Sequence, residues 1–148
     1  MWFAKQGPAL AYHDAHPDHL TIAKCISRHG HKKYGVVPRA DIDNYRGPFN
    51  ELIRTHSACR LYFDLDGEGD VDVLVAEVRN KLREVYRVGA DRVIVHCSST
   101  PTKFSKHVIF PDVVFKNNWE HMKAFVHGVV RRSPQYLYRS IESDKMTF

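Results

Sequence analysis

The chain has 148 residues, 43% hydrophobic and 26% charged, which is ordinary globular composition and excludes an intrinsically disordered chain. A formal net charge of +5 favours a polyanionic partner. Apolar runs are only a few residues long and the start MWFAKQGPAL lacks the charged-then-apolar pattern of a secretion leader, so neither a membrane span nor export is predicted and the chain is expected inside the cell. Cys25, Cys59 and Cys97 are far apart and odd in number, which argues against a disulfide framework or a zinc cluster. They read as small core residues.

In chain order, residues 1–50 are expected to form a smaller lobe and residues 51–148 the main module. The lobe opens with a short helix near residues 3–12. A helical or loop stretch, HLTIAKCISRHG, follows, and then a turn-rich segment, GVVPRADIDNYRGPF, punctuated by Gly35, Pro38, Gly47 and Pro48. His13, His16 and His19 have a spacing suggestive of metal ligands, but Pro17 breaks any helical face between them and no metal site is predicted there. Basic charge concentrates in RHGHKKY (28–34) and VVRR (129–132). Each reads as a solvated loop or helix end, with tracking of a phosphate backbone as the alternative.

From Cys59 the periodicities sharpen. CRLYFDLD is a strand by composition, with Leu61, Phe63 and Leu65 on one face and Tyr62, Asp64 and Asp66 on the other. A helix is predicted over 71–87, with apolar residues at helical spacing, Asp70 as its cap and Gly89 as its stop. Then come a strand at RVIVHC, the connection SSTPTKFSK, a strand at HVIFP paired with it, and a helix over NNWEHMKAFVHGVVRR, where Asn117 and Glu120 have capping-box spacing. Strand, helix, strand, strand, helix is most of a split βαβ layout, in which two helices cover one face of an antiparallel sheet. A last strand is required, and QYLYRSIESDKMTF barely begins to supply it.

Asp64 and Asp66 stand two apart on a strand, so both carboxylates lie on its open face, about 7 Å apart at the backbone. Like charges that close favour a cation between them, and hard ions such as Mg²⁺ or Mn²⁺ take such oxygen ligands while leaving positions for substrate phosphates. Two acids closing a strand before a turn is the plainer reading. In SSTPTKFSKHVIF, an extended chain puts Lys103, Ser105 and His107 on one face. An ammonium, a hydroxyl and an imidazole in a row can grip an anion, although a wet edge strand would look the same. Taken together the two faces describe a site for a metal-bound nucleoside triphosphate.

YFDLD (62–66) followed about forty residues later by SSTPTKFSKHVIF resembles motifs I and II of the archaeo-eukaryotic primase superfamily, whose patterns are DxD or DxE and SxH. CRLYFDLD and DVVFKNN are similar to the corresponding segments of its eukaryotic primase-polymerase branch. The likeness runs well over residues 50–126 and loosely over the preceding lobe. It implies an α+β primase core: an RRM-like antiparallel sheet with helices on one face, plus a small N-terminal α/β lobe. By the resemblance, Asp64 and Asp66 are catalytic carboxylates that hold Mg²⁺ or Mn²⁺. Lys103, Ser105 and His107 bind the incoming nucleotide, and Lys33 or Arg39 from the lobe reaches template or nucleotide.

The implied activity is nucleotidyl transfer from an NTP or dNTP to a primer on single-stranded or primed DNA, in priming or damage tolerance. The implied setting is a nucleus or mitochondrion, or a virus-encoded replication system, with replication proteins contacted through regions outside this chain. Two departures stand out. A third-motif Asp at the end of an apolar strand is missing, since Asp144 in IESDKMTF lacks the preceding apolar run, and no Cys/His zinc module follows. Both suggest a C-terminally incomplete core, with motif III expected beyond residue 148.

Two other readings compete. LYFDLDGE also resembles the hhhhDxDG opening of haloacid-dehalogenase-type phosphatases, where the first Asp is the nucleophile. That family needs a parallel sheet and a later acidic pair. A degenerate primase-like module that only binds single-stranded nucleic acid, stacking bases on Tyr34, Tyr45, Tyr62, Tyr136 or Tyr138, needs no third motif.

Overall fold

A computed structural model describes residues 1–67, 69–132 and 140–142. Two compact units emerge, one spanning Met1–Arg54 and the other beginning at Thr55.

The first unit is built on a four-stranded antiparallel sheet in the order β1-β3-β2-β4, from strands β1 (Trp2–Phe3), β2 (His19–Cys25), β3 (Lys32–Pro38) and β4 (Asn50–Glu51). Helix α1 (Gln6–Asp14) packs against β2 and β3. Ala9, Ile22, Ala23, Val36, Val37 and Leu52 form the core. Here the sequence reading needs correction: HLTIAKC is a strand, not a helical or loop stretch. Pairing with β3 from His19↔Pro38 to Cys25↔Lys32 satisfies its backbone. Likewise the segment read as turn-rich holds the strand containing Val36 and Val37, and only then turns, through a 3₁₀ helix at Arg39–Asn44. At Gly35 an added Cβ would crowd the Trp2 ring at 3.0 Å, so a larger residue there would have to displace that ring. The basic run 28–34 forms the tip of the β2–β3 hairpin and the exposed start of β3.

The second unit is a four-stranded antiparallel sheet in the order β6-β7-β5-β8, with β5 (Cys59–Asp66), β6 (Ile94–Cys97), β7 (Ser105–Phe115) and β8 (Ser140–Glu142). Helices α2 (Val71–Tyr86) and α3 (Lys123–Arg132) complete a split βαββαβ unit. The α+β class is therefore as the primase resemblance implies. The strand that the C-terminal sequence barely suggested is present as the short β8, antiparallel to β5. Asp144, Tyr136 and Tyr138 lie outside the described residues.

The core sits between the two helices and one sheet face. Leu61, Phe63, Leu65, Val108 and Phe110 are sealed from solvent, and Phe63 meets Phe110 edge to face at 6.2 Å. Leu74, Val78 and Leu82 of α2 and Phe125, Val126 and Val129 of α3 supply the helical side. Rings of Tyr86, Phe115 and Phe125, 5.4–5.9 Å apart, tie the two helices to the end of β7. Burial of each such side chain is worth roughly 1.5–3 kcal/mol, which fixes which face of β5 turns inward.

The element ends follow from capping chemistry. Asp70 accepts from the Asp72 and Val73 amides, as its cap position predicts. The stop is Arg87 rather than Gly89: Arg87 adopts φ 58° and its N–H donates to the Arg83 carbonyl. Asn117 accepts from the Glu120 amide at 2.8 Å and opens a π-helical turn, Asn118–Met122, before α3. A register shift opposite Arg60/Leu61 lets β7 accommodate Pro111, which lacks an N–H, and the Arg92–Asp112 ion pair fastens that bulge. Of the cysteines only Cys59 is a core residue. Cys25 and Cys97 are exposed at strand ends, Cys97 on the edge strand β6.

Candidate nucleotide and metal site

With Leu61, Phe63 and Leu65 drawn to the helices, alternation turns Asp64 and Asp66 to the opposite, open face of β5. The antiparallel register then decides their neighbours. Asp64 stands opposite His107 and Asp66 opposite Ser105, on β7, and residues directly opposite share a face. His96 of β6 extends the first row, opposite His107. The Ser98 amide donates to the Ser105 carbonyl at 3.0 Å and continues the β6–β7 ladder by one more pair, extending the second row.

All five residues singled out in the sequence converge on this face. His107 Nε2 is 3.1 Å from Asp64 Oδ1, and Lys103 Nζ is 3.3 Å from Asp66 Oδ1. Both carboxylates are 27% exposed, whereas Lys103 is 64% exposed and His107 41%. The acids thus lie at the floor, with the Lys103 ammonium and the His107 imidazole at the rim. Lys103 is held there by a tight turn. Thr100 N–H donates to the Lys103 carbonyl at 2.7 Å, Lys103 N–H returns to the Thr100 carbonyl at 3.2 Å, and Pro101 occupies a turn position suited to its fixed φ. The connection read as a nine-residue loop is accordingly a hairpin whose strand β7 begins at Ser105.

Ser105 is nearly buried, at 7% exposure, among two serines that sequence reasoning quoted without giving them a role. Ser99 Oγ accepts from the Ser105 amide at 2.9 Å and donates to its carbonyl at 3.0 Å, and Ser98 Oγ lies 3.1 Å from Ser105 Oγ. Their signal in the sequence was the SST preceding the turn. The neighbouring Cys97 thiol is held below its ordinary pKa by hydrogen bonding with Ser99.

The donor set fits a hard divalent cation: two carboxylates two residues apart on one face, beside an ammonium and hydrogen-bond donors suited to phosphate oxygens. Among the described residues no group of three or more His, Cys, Asp or Glu side chains is placed to hold a metal; the β5–β8 register also sets Glu142 opposite Asp64. The three histidines with metal-like spacing in the first unit are engaged locally. His13 Nδ1 bonds Thr21 Oγ1 at 2.8 Å, His16 stacks on Tyr12 at 4.1 Å, and His19 pairs with Asp18. Lys33 and Arg39 are exposed and belong to that same unit. Among the described residues no helix is long and apolar enough to cross a membrane.

A split βαββαβ sheet carrying an acidic DxD strand beside an SxH strand is the arrangement that the resemblance to the archaeo-eukaryotic primase superfamily implies. The antiparallel neighbours on both sides of β5 disfavour the phosphatase reading, which requires a parallel sheet. Comparison with known proteins agrees. The chain is 36% identical to the DNA-directed primase/polymerase protein of Danio rerio over 162 aligned residues, 93% of this chain and 31% of the relative. It is 40% identical to the human protein of the same name over 133 residues, 76% of this chain and 24% of the relative. The Bos taurus protein is 36% identical over 111 residues, 66% and 20%. No family model matches the chain. The chain belongs to the primase-polymerase family, and it spans between a fifth and a third of the length of these relatives.

Proposed function

We infer that this chain carries the nucleotide- and metal-binding face of a DNA primase-polymerase and serves metal-dependent nucleotidyl transfer from an NTP or dNTP to a primer on a DNA template. The observation that supports this most is the register Asp64↔His107 and Asp66↔Ser105, which gathers two carboxylates and three hydrogen-bond donors from remote segments onto one open face. The relatives' printed name, DNA-directed primase/polymerase protein, agrees with it.

In this reading Asp64 and Asp66 hold Mg²⁺ or Mn²⁺, which when bound supplies activation of the primer hydroxyl and charge neutralisation on the departing pyrophosphate. Lys103, flexible and exposed, reaches the outer phosphate oxygens as a point charge. Ser105 and His107, on a rigid strand, fix the phosphate position with little side-chain freedom left to lose. Lys33 and Arg39 are the candidates for contact with template in the first unit.

The test is incorporation of a labelled nucleotide on a primed DNA template with Mn²⁺ or Mg²⁺. Extension is expected from the chain joined to the segment that supplies the third motif, and is lost on combining Asp64→Ala with Asp66→Ala, with affinity for the DNA itself largely retained. Phosphoester hydrolysis without extension would support the phosphatase instead. DNA binding with neither activity would reduce the chain to a binding module.

A further inference from the structure

We propose that Ser98 is a positioning residue that turns the Ser105 hydroxyl into a hydrogen-bond donor aimed at the phosphates of a bound nucleotide; the inference rests on the nucleotide reading of this face. The Ser105 amide is taken by Ser99 Oγ at 2.9 Å, and its carbonyl by the Ser98 amide and Ser99 Oγ, both at 3.0 Å. With its main chain saturated, Ser105 has only its hydroxyl to offer. A hydroxyl carries one donor and two acceptor sites. Ser98 Oγ lies 3.1 Å from Ser105 Oγ and 3.5 Å from the Ser105 carbonyl, and its single hydrogen goes to the nearer oxygen, which leaves the Ser105 hydrogen uncommitted.

Where that hydrogen points is constrained by position. Ser105 lies opposite Asp66, whose Oδ1 is 3.3 Å from the Lys103 ammonium, and one alternation from His107. A hydroxyl fixed as donor between an ammonium and an imidazole suits an anion's oxygens. Were Ser105 instead to donate to Ser98, its oxygen lone pairs would face the anion and repel it. The two preceding serines therefore do different work. Ser99 clamps the backbone of residue 105, and Ser98 sets the polarity of its side chain.

The experiment is a double-mutant cycle read as affinity for a fluorescent nucleoside triphosphate in the presence of Mn²⁺, with thermal melting as the folding control. Ser98→Ala is expected to weaken binding about three- to tenfold, the worth of one hydrogen bond. Ser98→Thr, which keeps the hydroxyl, is expected to restore it. Ser98→Cys, close in volume to serine but a weak donor, is expected to lose as much as alanine and stands in for it if alanine does not fold. In a Ser105→Ala background, Ser98→Ala is expected to cost nothing further. Ser99→Ala, by contrast, is expected to lower the melting temperature in either background. Unchanged affinity in Ser98→Ala or Ser98→Cys, or an equal loss with and without the Ser105 hydroxyl, would overturn the assignment while leaving the nucleotide site intact. If Ser105→Ala alone binds the triphosphate normally, the nucleotide reading of the face fails, and this inference fails with it.

Discussion

Lys103 and His107 each have two possible partners, the carboxylates they touch in the free protein and the phosphates they are read as binding. The free-state pairs, at 3.3 Å to Asp66 and 3.1 Å to Asp64, are partly exposed, and pairs of that kind contribute about 0–1 kcal/mol. They are therefore easily exchanged. A divalent ion entering beside Asp66 competes with the ammonium for the same oxygen, while a triphosphate draws the ammonium away. Metal and nucleotide should then help each other bind. Lys103→Met is expected to raise Mn²⁺ affinity of the nucleotide-free protein by up to about fivefold, the upper worth of such a pair, while weakening triphosphate binding. Counting free Mn²⁺ by its electron paramagnetic resonance signal checks this. Weaker Mn²⁺ binding in Lys103→Met would show that the lysine organises the acids instead of competing for them.

At the scale of elements, the junction of α1 and β2 carries a pH-dependent contribution to stability. His13 bonds Thr21, which is fully buried, and burial with help from Arg54, His19 and Arg39 lowers its pKa below the ordinary 6.5, outweighing the opposing influence of Asp14. The folded protein therefore holds this proton less tightly than the unfolded chain. Its contribution is complete above 6.5 and is lost as the pH falls through and below that value. Melting temperatures taken from about pH 7.5 down to about pH 5.5 should fall, and His13→Gln should make the fall shallower; parallel profiles for the two proteins would contradict this.

The same junction shows where sequence reading reached its limit. Thr21, Ile22 and Ala23 are consecutively buried, as are Gly35, Val36 and Val37. A strand buried on both faces loses the two-residue alternation by which strands are recognised. CRLYFDLD alternates strictly, and both its inward and outward faces were legible in advance. Asp64 and Asp66 could be placed on its open face for the same reason, whereas Lys103 reaches that face from a turn outside the strand. The serine pair was not, because its role depends on a cross-strand register that joins Ser98 to Ser105, and a stretch quoted as loop carries no register. Arg87 was missed as a helix stop because residues with a Cβ seldom take positive φ, and Gly89 stood nearby as the commoner solution.

For the whole molecule, the family relationship and the site geometry both support the proposed reading. The chain corresponds to between a fifth and a third of its primase-polymerase relatives, and the face described here is what it contributes to the chemistry proposed. Its central claim is that this face clasps a triphosphate together with a divalent ion. Fluorescence anisotropy of a labelled deoxynucleoside triphosphate, titrated with the chain in Mn²⁺ and again in excess chelator, tests that most directly. Binding should depend on the metal and disappear both in the Asp64→Ala, Asp66→Ala protein and in the Ser105→Ala, His107→Ala protein. Binding that survives the chelator and both pairs of substitutions would place the nucleotide elsewhere and contradict the account.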